Sequence, residues 1–166
     1  MAAVLADLLE DGDLIVLSGD LGAGKTCFTQ GLGRALGITD RITSPTFTLA
    51  NRYEGALTLN HLDVYRIEQL ADTLDLDLPE LMEDGVTVIE WGEQILPILG
   101  DDFLLVRIRH SLEPDSLEPD SAEPDRDGAD ELASTDYRML EIELHGACWA
   151  RRRDAVRQRL AEWPPC

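Results

Sequence analysis

The chain has 166 residues, the length of a single domain. Its 33 acidic residues against 14 basic ones produce a formal net charge of −19, which disfavours broad electrostatic contact with nucleic acid, because such contact needs several Lys or Arg side chains to neutralise phosphates. The sequence shows no apolar stretch of about 20 residues that could span a membrane, no secretory signal, and no cysteine spacing typical of a disulfide framework or zinc site, so we expect a cytoplasmic protein.

The first part of the chain has the pattern of an α/β domain around a glycine-rich loop. A helix rich in Ala and Leu is expected over residues 2–10, and the apolar run at 14–17 is typical of a strand buried on both faces of a parallel sheet. The glycine loop follows directly, and a second helix is expected over residues 25–36, ended by Gly37. Strand, glycine loop and helix in this order are the context that a phosphate-binding P-loop requires.

The middle of the chain predicts two strands around a turn at Glu54 and Gly55, then two helices, then a buried strand. These elements are expected over residues 47–53, 56–62, 66–73, 78–83 and 86–89.

The last part of the chain predicts an antiparallel hairpin followed by a helix. Residues 103–109 and 137–144 both alternate between apolar and polar positions. Arg107 and Arg109 share one face of the first strand, and acidic residues share the corresponding face of the second, so pairing would stabilise the hairpin by roughly 0.2–1 kcal/mol per pair. An Arg-rich helix is expected over 148–163, with its arginines on a solvated face or, alternatively, in contact with RNA or with the acidic surface of a partner.

An acidic tract separates the two hairpin strands. The segment Ser-Leu-Glu-Pro-Asp occurs twice from Ser111 and a third time with one change. Such a tract has little apolar surface to bury, so residues 111–136 are predicted to be a disordered insertion within one domain spanning residues 1–166. A regulatory or partner-binding tail is the alternative.

The glycine loop carries the chemistry. Backbone N–H groups of such a loop point at phosphate oxygens, and the following helix adds its positive N-terminal end. The lysine of the motif reaches the β and γ phosphates, and the hydroxyl residue after it is offered to Mg²⁺. The loop therefore predicts binding of a nucleoside triphosphate with magnesium by Gly19, Asp20, Leu21, Gly22, Ala23, Gly24, Lys25 and Thr26, of which Lys25 is the only lysine in the chain.

Two acidic residues follow predicted buried strands. Asp63 comes after the run 57–62, and Glu90 after the run 86–89. P-loop enzymes place a carboxylate at such a strand end, where it meets Mg²⁺ directly or through water. Either residue fits, and the carboxyl ends of parallel strands meet at the sheet edge where ligands bind. A GTPase of the Ras type is excluded, because its Asn-Lys-x-Asp motif needs a second lysine.

Four boxes in fixed order carry a family resemblance: the P-loop, Ser-Pro-Thr-Phe at 44–47, His-x-Asp-x-Tyr-Arg at 61–66, and Glu-Trp at 90–91. Together they resemble the bacterial TsaE (YjeE) family of tRNA threonylcarbamoyladenosine biosynthesis ATPases over residues 1–110 and, more weakly, over the final strand and helix. We therefore expect a three-layer α/β P-loop NTPase fold, with a mainly parallel central sheet and an antiparallel C-terminal hairpin.

The resemblance implies an activity and partners. The protein would hydrolyse ATP with Mg²⁺ and act with the proteins TsaB and TsaD, which install threonylcarbamoyl on adenosine 37 of tRNA from an adenylate made by TsaC. It would not transfer the group but reset the TsaB–TsaD complex between cycles, and would meet tRNA only indirectly through that complex.

The resemblance also implies roles for individual residues. Thr26 and Glu90 would meet Mg²⁺, Asp63 would orient the attacking water or the metal shell, and Thr46 would lie in a switch-like loop that senses the γ-phosphate. Trp91 would either pack beside the site or contact the nucleotide or partner.

Three further residues belong to the same prediction. His61, in the His-x-Asp box, is expected to orient its neighbours. Cys27 stands where the family usually has a second hydroxyl residue; its backbone N–H remains for the α-phosphate, and the thiol is either a buried small side chain or a redox sensor. Arg138 would be a nucleotide contact or a strand-edge arginine.

Two other functions remain open from the residues alone. One is a small-molecule kinase whose acceptor binds beside the P-loop. The other is a nucleotide-dependent interaction module with negligible turnover.

Overall fold

A six-stranded sheet organises the chain, with the strand order β2-β3-β4-β1-β5-β6. The computed structural model describes residues 1–65, 84–111 and 137–161. Four adjacent strands, β3, β4, β1 and β5, run parallel, and β2 and β6 pair antiparallel at the two edges. The strands are β1 Leu14–Ser18, β2 Ala50–Tyr53, β3 Leu59–Asp63, β4 Val86–Glu90, β5 Phe103–Ser111 and β6 Tyr137–His145.

Apolar cores cover both faces of the sheet. Three helices, α1 Ala2–Ala6, α2 Lys25–Ala35 and α3 Gly146–Ala161, bury Leu5, Leu32 and Trp149 on one face. Two short 3₁₀ helices, Gly92–Gln94 and Leu96–Ile98, lie on the other face. Ile95 and Leu99, which follow these helices directly, pack against the sheet there. Because β1 lies between the two cores, all five of its residues are buried. The predicted α/β fold with a mainly parallel sheet is confirmed.

The C-terminal hairpin is also confirmed. In its register Val106 lies opposite Ile142, and Arg107 lies opposite Glu141. Arg107 forms an ion pair with Glu143, and the Arg109 guanidinium lies 3.5 Å from the Glu141 carboxylate. The opposite charges therefore meet on one face of the pair, as the alternation predicts.

Several predicted boundaries are wrong. The first helix ends at Ala6, four residues early. The strand predicted from Phe47 begins at Ala50, because the backbone N–H groups of Thr48 and Leu49 donate to Pro45 O and close a turn. Strand β3 starts three residues later than predicted, and α3 starts two residues earlier, at Gly146. The helices predicted over 66–73 and 78–83, the acidic tract after residue 111 and the end of the last helix lie outside the described residues.

The prediction that the arginines of α3 lie on a solvated face is wrong for Arg152. Its guanidinium donates to both carboxylate oxygens of Asp13, at 2.6 and 2.5 Å, and to Leu8 O at 2.9 Å. It also lies over the Trp149 ring, 4.1 Å from the ring centroid. Asp13 directly precedes β1, so this pair joins the start of the central strand to α3.

Within the described ranges, no helix is long and apolar enough to cross a bilayer.

We expect Arg152→Met to lower the free energy of unfolding by about 2–3 kcal/mol, slightly less than the loss on breaking a fully buried pair, because the Arg152 side chain remains 15% exposed. Arg159→Met is the matched control on the same helix. Arg159 pairs with Asp7 at 3.1 Å with 44% of its side chain exposed, so its loss should cost under about 1 kcal/mol. Urea unfolding measures both, and equal losses would contradict a special role for the Asp13 pair.

Candidate active site

The loop between β1 and α2 lies at the carboxyl edge of the parallel strands. Gly19, Gly22 and Gly24 have φ values of 143°, 80° and 111°, in the region where side chains are strained. Gly19 also needs to be glycine for space, because a Cβ there would lie 2.3 Å from Ile108 O. The hairpin strand β5 therefore presses directly against the start of the loop.

Lys25 is held over this loop. Its Nζ donates to Gly19 O at 2.7 Å and to Asp20 O at 3.0 Å. It also lies 3.5 Å from the centroid of the Trp91 ring, a cation–π contact. The residue is 5% exposed. Two loop carbonyls and one indole face thus define the position of the ammonium group.

The charge environment of Lys25 is mixed. Burial lowers the pKa of its ammonium group, because the charged form loses hydration. Four carboxylates oppose this shift by raising the same pKa: Glu90, Glu93, Asp63 and Asp20. The net direction of the pKa is downward, because the loss of hydration outweighs the attraction of these carboxylates.

A carboxylate at the end of β4 joins the helix to the sheet. Thr26, in the first turn of α2, donates from Oγ1 to Glu90 Oε1 at 2.8 Å. His61 Nε2 lies 2.8 Å from the same oxygen. Glu90 is 3% exposed and His61 fully buried. One carboxylate oxygen therefore receives two donors, one from α2 and one from β3.

Asp63 lies beside Glu90 in the register of β3 and β4. Its Oδ2 accepts from Ser44 Oγ at 2.9 Å and from Thr46 Oγ1 at 2.6 Å, and its Oδ1 accepts from Tyr65 N at 3.0 Å. The two carboxylates thus have different partners. Glu90 engages the start of α2, whereas Asp63 fixes the loop before β2.

Trp91 directly follows β4 in a left-handed conformation, with φ 62°. Its backbone N–H donates to Leu17 O of β1 at 2.9 Å. The ring packs on Tyr65, with 4.9 Å between centroids, and on the Lys25 ammonium group. The geometry therefore includes packing of Trp91 beside the site, and its contact with nucleotide or partner stays a prediction.

The other predicted residues differ in their closeness to this centre. Arg138 Nε donates to Ala23 O at 3.2 Å, so β6 reaches the loop across β5. Cys27 is exposed, which contradicts a buried small side chain. Leu21 is also exposed, at 81%. Ser44 was not predicted as a site residue; its position two residues before Thr46 is the available signal, because a Ser-x-Thr pair can present both hydroxyls to one acceptor.

The donor set at this edge suits Mg²⁺. Hydroxyl and carboxylate oxygens are its preferred protein ligands, and it commonly combines one or two of them with substrate phosphates and waters. Thr26 and Glu90 could supply such ligands, and Asp63 lies next to them. In the described ranges, no group of three or more His, Cys, Asp or Glu side chains forms a metal site by itself.

Comparisons with known proteins agree with the resemblance. The family model "Threonylcarbamoyl adenosine biosynthesis protein TsaE" matches residues 1–116. The tRNA threonylcarbamoyladenosine biosynthesis protein TsaE of Treponema pallidum is 49% identical over 107 residues, which cover 64% of this chain and 79% of that protein. The TsaE protein of Streptomyces coelicolor is 46% identical over 108 residues, with coverages of 63% and 73%.

A solved structure agrees as well. The crystal structure of Bacillus subtilis YdiB superposes with a TM-score of 0.55 at 35% sequence identity, covering 68% of this chain and 69% of that one. The matched family region, residues 1–116, includes the glycine loop, both carboxylates and Trp91. The chain belongs to the TsaE family of threonylcarbamoyl adenosine biosynthesis proteins.

Proposed function

We propose that this protein is a Mg²⁺-dependent ATPase required for threonylcarbamoylation of adenosine 37 in tRNA. It acts on the TsaB–TsaD complex in the cytoplasm and does not transfer the group itself. One observation carries the proposal: a P-loop lysine, a Thr26–Glu90 pair and an Asp63–Thr46 pair converge at one sheet edge in a chain of the TsaE family.

Phosphate binding follows from the loop. The N–H groups of residues 19–27 and the N-terminus of α2 replace the hydration of the triphosphate. Lys25 Nζ already donates twice to the loop, so its remaining N–H is the donor for the β and γ phosphates. Arg138 closes the loop from β6 through Ala23 O and adds a positive charge near the phosphates.

Thr26 and Glu90 would hold Mg²⁺ together with phosphate oxygens. The ion would neutralise the charge that develops on the phosphates. The proton of the Thr26 hydroxyl is committed to Glu90 Oε1, which leaves the lone pairs of Thr26 Oγ1 available as a ligand.

The two carboxylates divide the remaining work. Among the described residues, both oxygens of Asp63 already accept hydrogen bonds, and two of its donors are the hydroxyls of Ser44 and Thr46. Three of the four acceptor positions of Asp63 are thus filled, and its main role is to order the loop that carries Thr46 next to the γ-phosphate. Among the described residues, Glu90 Oε2 accepts no hydrogen bond, so Oε2 is the oxygen that would serve as the Mg²⁺ ligand or orient the attacking water.

The acidic net charge of the chain also fits indirect contact with tRNA. A chain with a net charge of −19 has little electrostatic attraction for a nucleic acid backbone. The TsaB–TsaD pair would hold the tRNA, and this protein would supply the ATP-driven step.

The first test measures phosphate release from ATP with and without purified TsaB and TsaD. We expect slow hydrolysis alone, clear stimulation by the pair, and co-purification with it. Release that requires a small hydroxyl acceptor would instead identify a kinase. Tight ATP binding without hydrolysis, even with both partners, would identify an interaction module.

Lys25→Met should reduce hydrolysis on the order of 100-fold or more, because a charge aimed at the transferring phosphoryl group is removed. Arg34→Met is the control: Arg34 lies in the same helix, and its guanidinium donates to the Gln30 carbonyl in an exposed hydrogen bond, away from the loop. Turnover of Lys25→Met at the rate of Arg34→Met would overturn the phosphate role of the loop.

Glu90→Gln and Asp63→Asn should affect hydrolysis and its Mg²⁺ dependence in different ways. Glu90→Gln weakens Mg²⁺ binding and slows turnover, since a ligand charge is lost. Asp63→Asn lowers kcat by about tenfold or more while the Mg²⁺ concentration for half-maximal rate stays the same, since only loop order is lost. Magnesium titrations of the steady-state rate separate the two, and identical profiles would argue against this division.

A further inference from the structure

His61 is a buried titratable side chain that lies next to the phosphate-binding loop. It belongs to β3, pairs with Val88 in the register of the sheet, and is completely buried. Because side chains alternate along a strand, His61 and Asp63 project to the same side of the sheet. His61 therefore lies two residues before Asp63 on the face of the sheet that also carries the Glu90 carboxylate.

The contact with Glu90 defines which ring nitrogen carries a proton. His61 Nε2 lies 2.8 Å from Glu90 Oε1. Two acceptors would repel at that distance, so a proton lies between them and Nε2 donates. Among the described residues, Nδ1 has no hydrogen-bond partner, so a proton on Nδ1 would be buried without an acceptor. The ring is therefore held as the Nε2–H tautomer.

These contacts fix the orientation of the Glu90 carboxylate. Glu90 Oε1 accepts from His61 in β3 and from Thr26 in α2. A glutamate side chain has three rotatable bonds, and two donors to one oxygen, from two different elements, restrict them before any ligand binds. The same arrangement directs the Thr26 hydroxyl proton to Glu90, which leaves the lone pairs of Thr26 Oγ1 for a ligand.

We propose that His61 is a positioning residue for the Mg²⁺ site. It holds Glu90 so that the Glu90 carboxylate and the Thr26 hydroxyl stand ready as ligands, and it contacts neither metal nor nucleotide. The inference rests on the proposed function for the identity of the metal site. Hydrogen bonds that orient metal ligands typically change metal affinity 10- to 100-fold when they are lost.

A buried histidine that only fills space would behave differently. Its replacement by a similar apolar side chain would change stability and leave metal affinity untouched. The chain offers a matched pair of substitutions: the amide nitrogen of Gln occupies the same position along its side chain as Nε2 of His, so His61→Gln keeps a donor to Glu90. His61→Leu fills similar volume without a donor.

The experiment measures Mn²⁺ binding by electron paramagnetic resonance on the full chain in the presence of ADP. We expect His61→Leu to weaken Mn²⁺ binding about tenfold or more, and His61→Gln to remain within about threefold of the unaltered protein. Binding of a fluorescent ADP in EDTA measures nucleotide affinity without metal. Its Kd should stay within about twofold of the unaltered protein in both variants, because His61 does not contact the nucleotide.

A folded His61→Leu protein that binds Mn²⁺ as tightly as the unaltered protein would overturn the proposal. If His61→Leu does not fold, the unaltered protein labelled with ¹⁵N-histidine decides: the His61 ring must show the Nε2–H tautomer, and the opposite tautomer overturns the proposal. Failure of the proposed function looks different. In that case the unaltered protein binds Mn²⁺ with ADP, and the two variants still separate, but TsaB and TsaD do not stimulate hydrolysis.

Discussion

The parallel pairing of β4 between β3 and β1 is the constraint on which the candidate site depends. It sets Glu90 beside Asp63 on one side and beside Leu17 on the other, and the glycine loop starts just after β1. A slip of one residue would turn the Glu90 side chain to the opposite face, away from Thr26. Both apolar cores resist such a slip, since Val88 and Ile89 lie in different cores.

Electrostatics at this edge are concentrated on few side chains. In a chain with a net charge of −19, Lys25 is the only lysine, and two carbonyls and the Trp91 ring hold its ammonium group. Because Lys25 is nearly buried, the acids around it interact with it more strongly than they would in water. The same acids are divided by their donors: Glu90 serves Thr26 and His61, and Asp63 serves Ser44 and Thr46.

Local patterns account for most of the fold that could be predicted. The apolar run of β1, the glycine loop and the alternation of β5 and β6 each have a short-range physical signature, and the structure agrees with all three. The ends of elements were predicted less well. Phe47 has strand propensity, but the turn closed on Pro45 O keeps it out of β2, and its side chain is 85% exposed.

By itself, the sequence determined that a P-loop precedes a helix, that carboxylates end two buried strands, and that the boxes match one family, because these features depend on residue type and spacing along the chain. Only the tertiary structure decided which donors each carboxylate receives, that Trp91 lies on Lys25, and that Arg152 is paired with Asp13 instead of solvated. These contacts join residues that are distant in sequence. The order and register of strands create them, and no local pattern encodes that order.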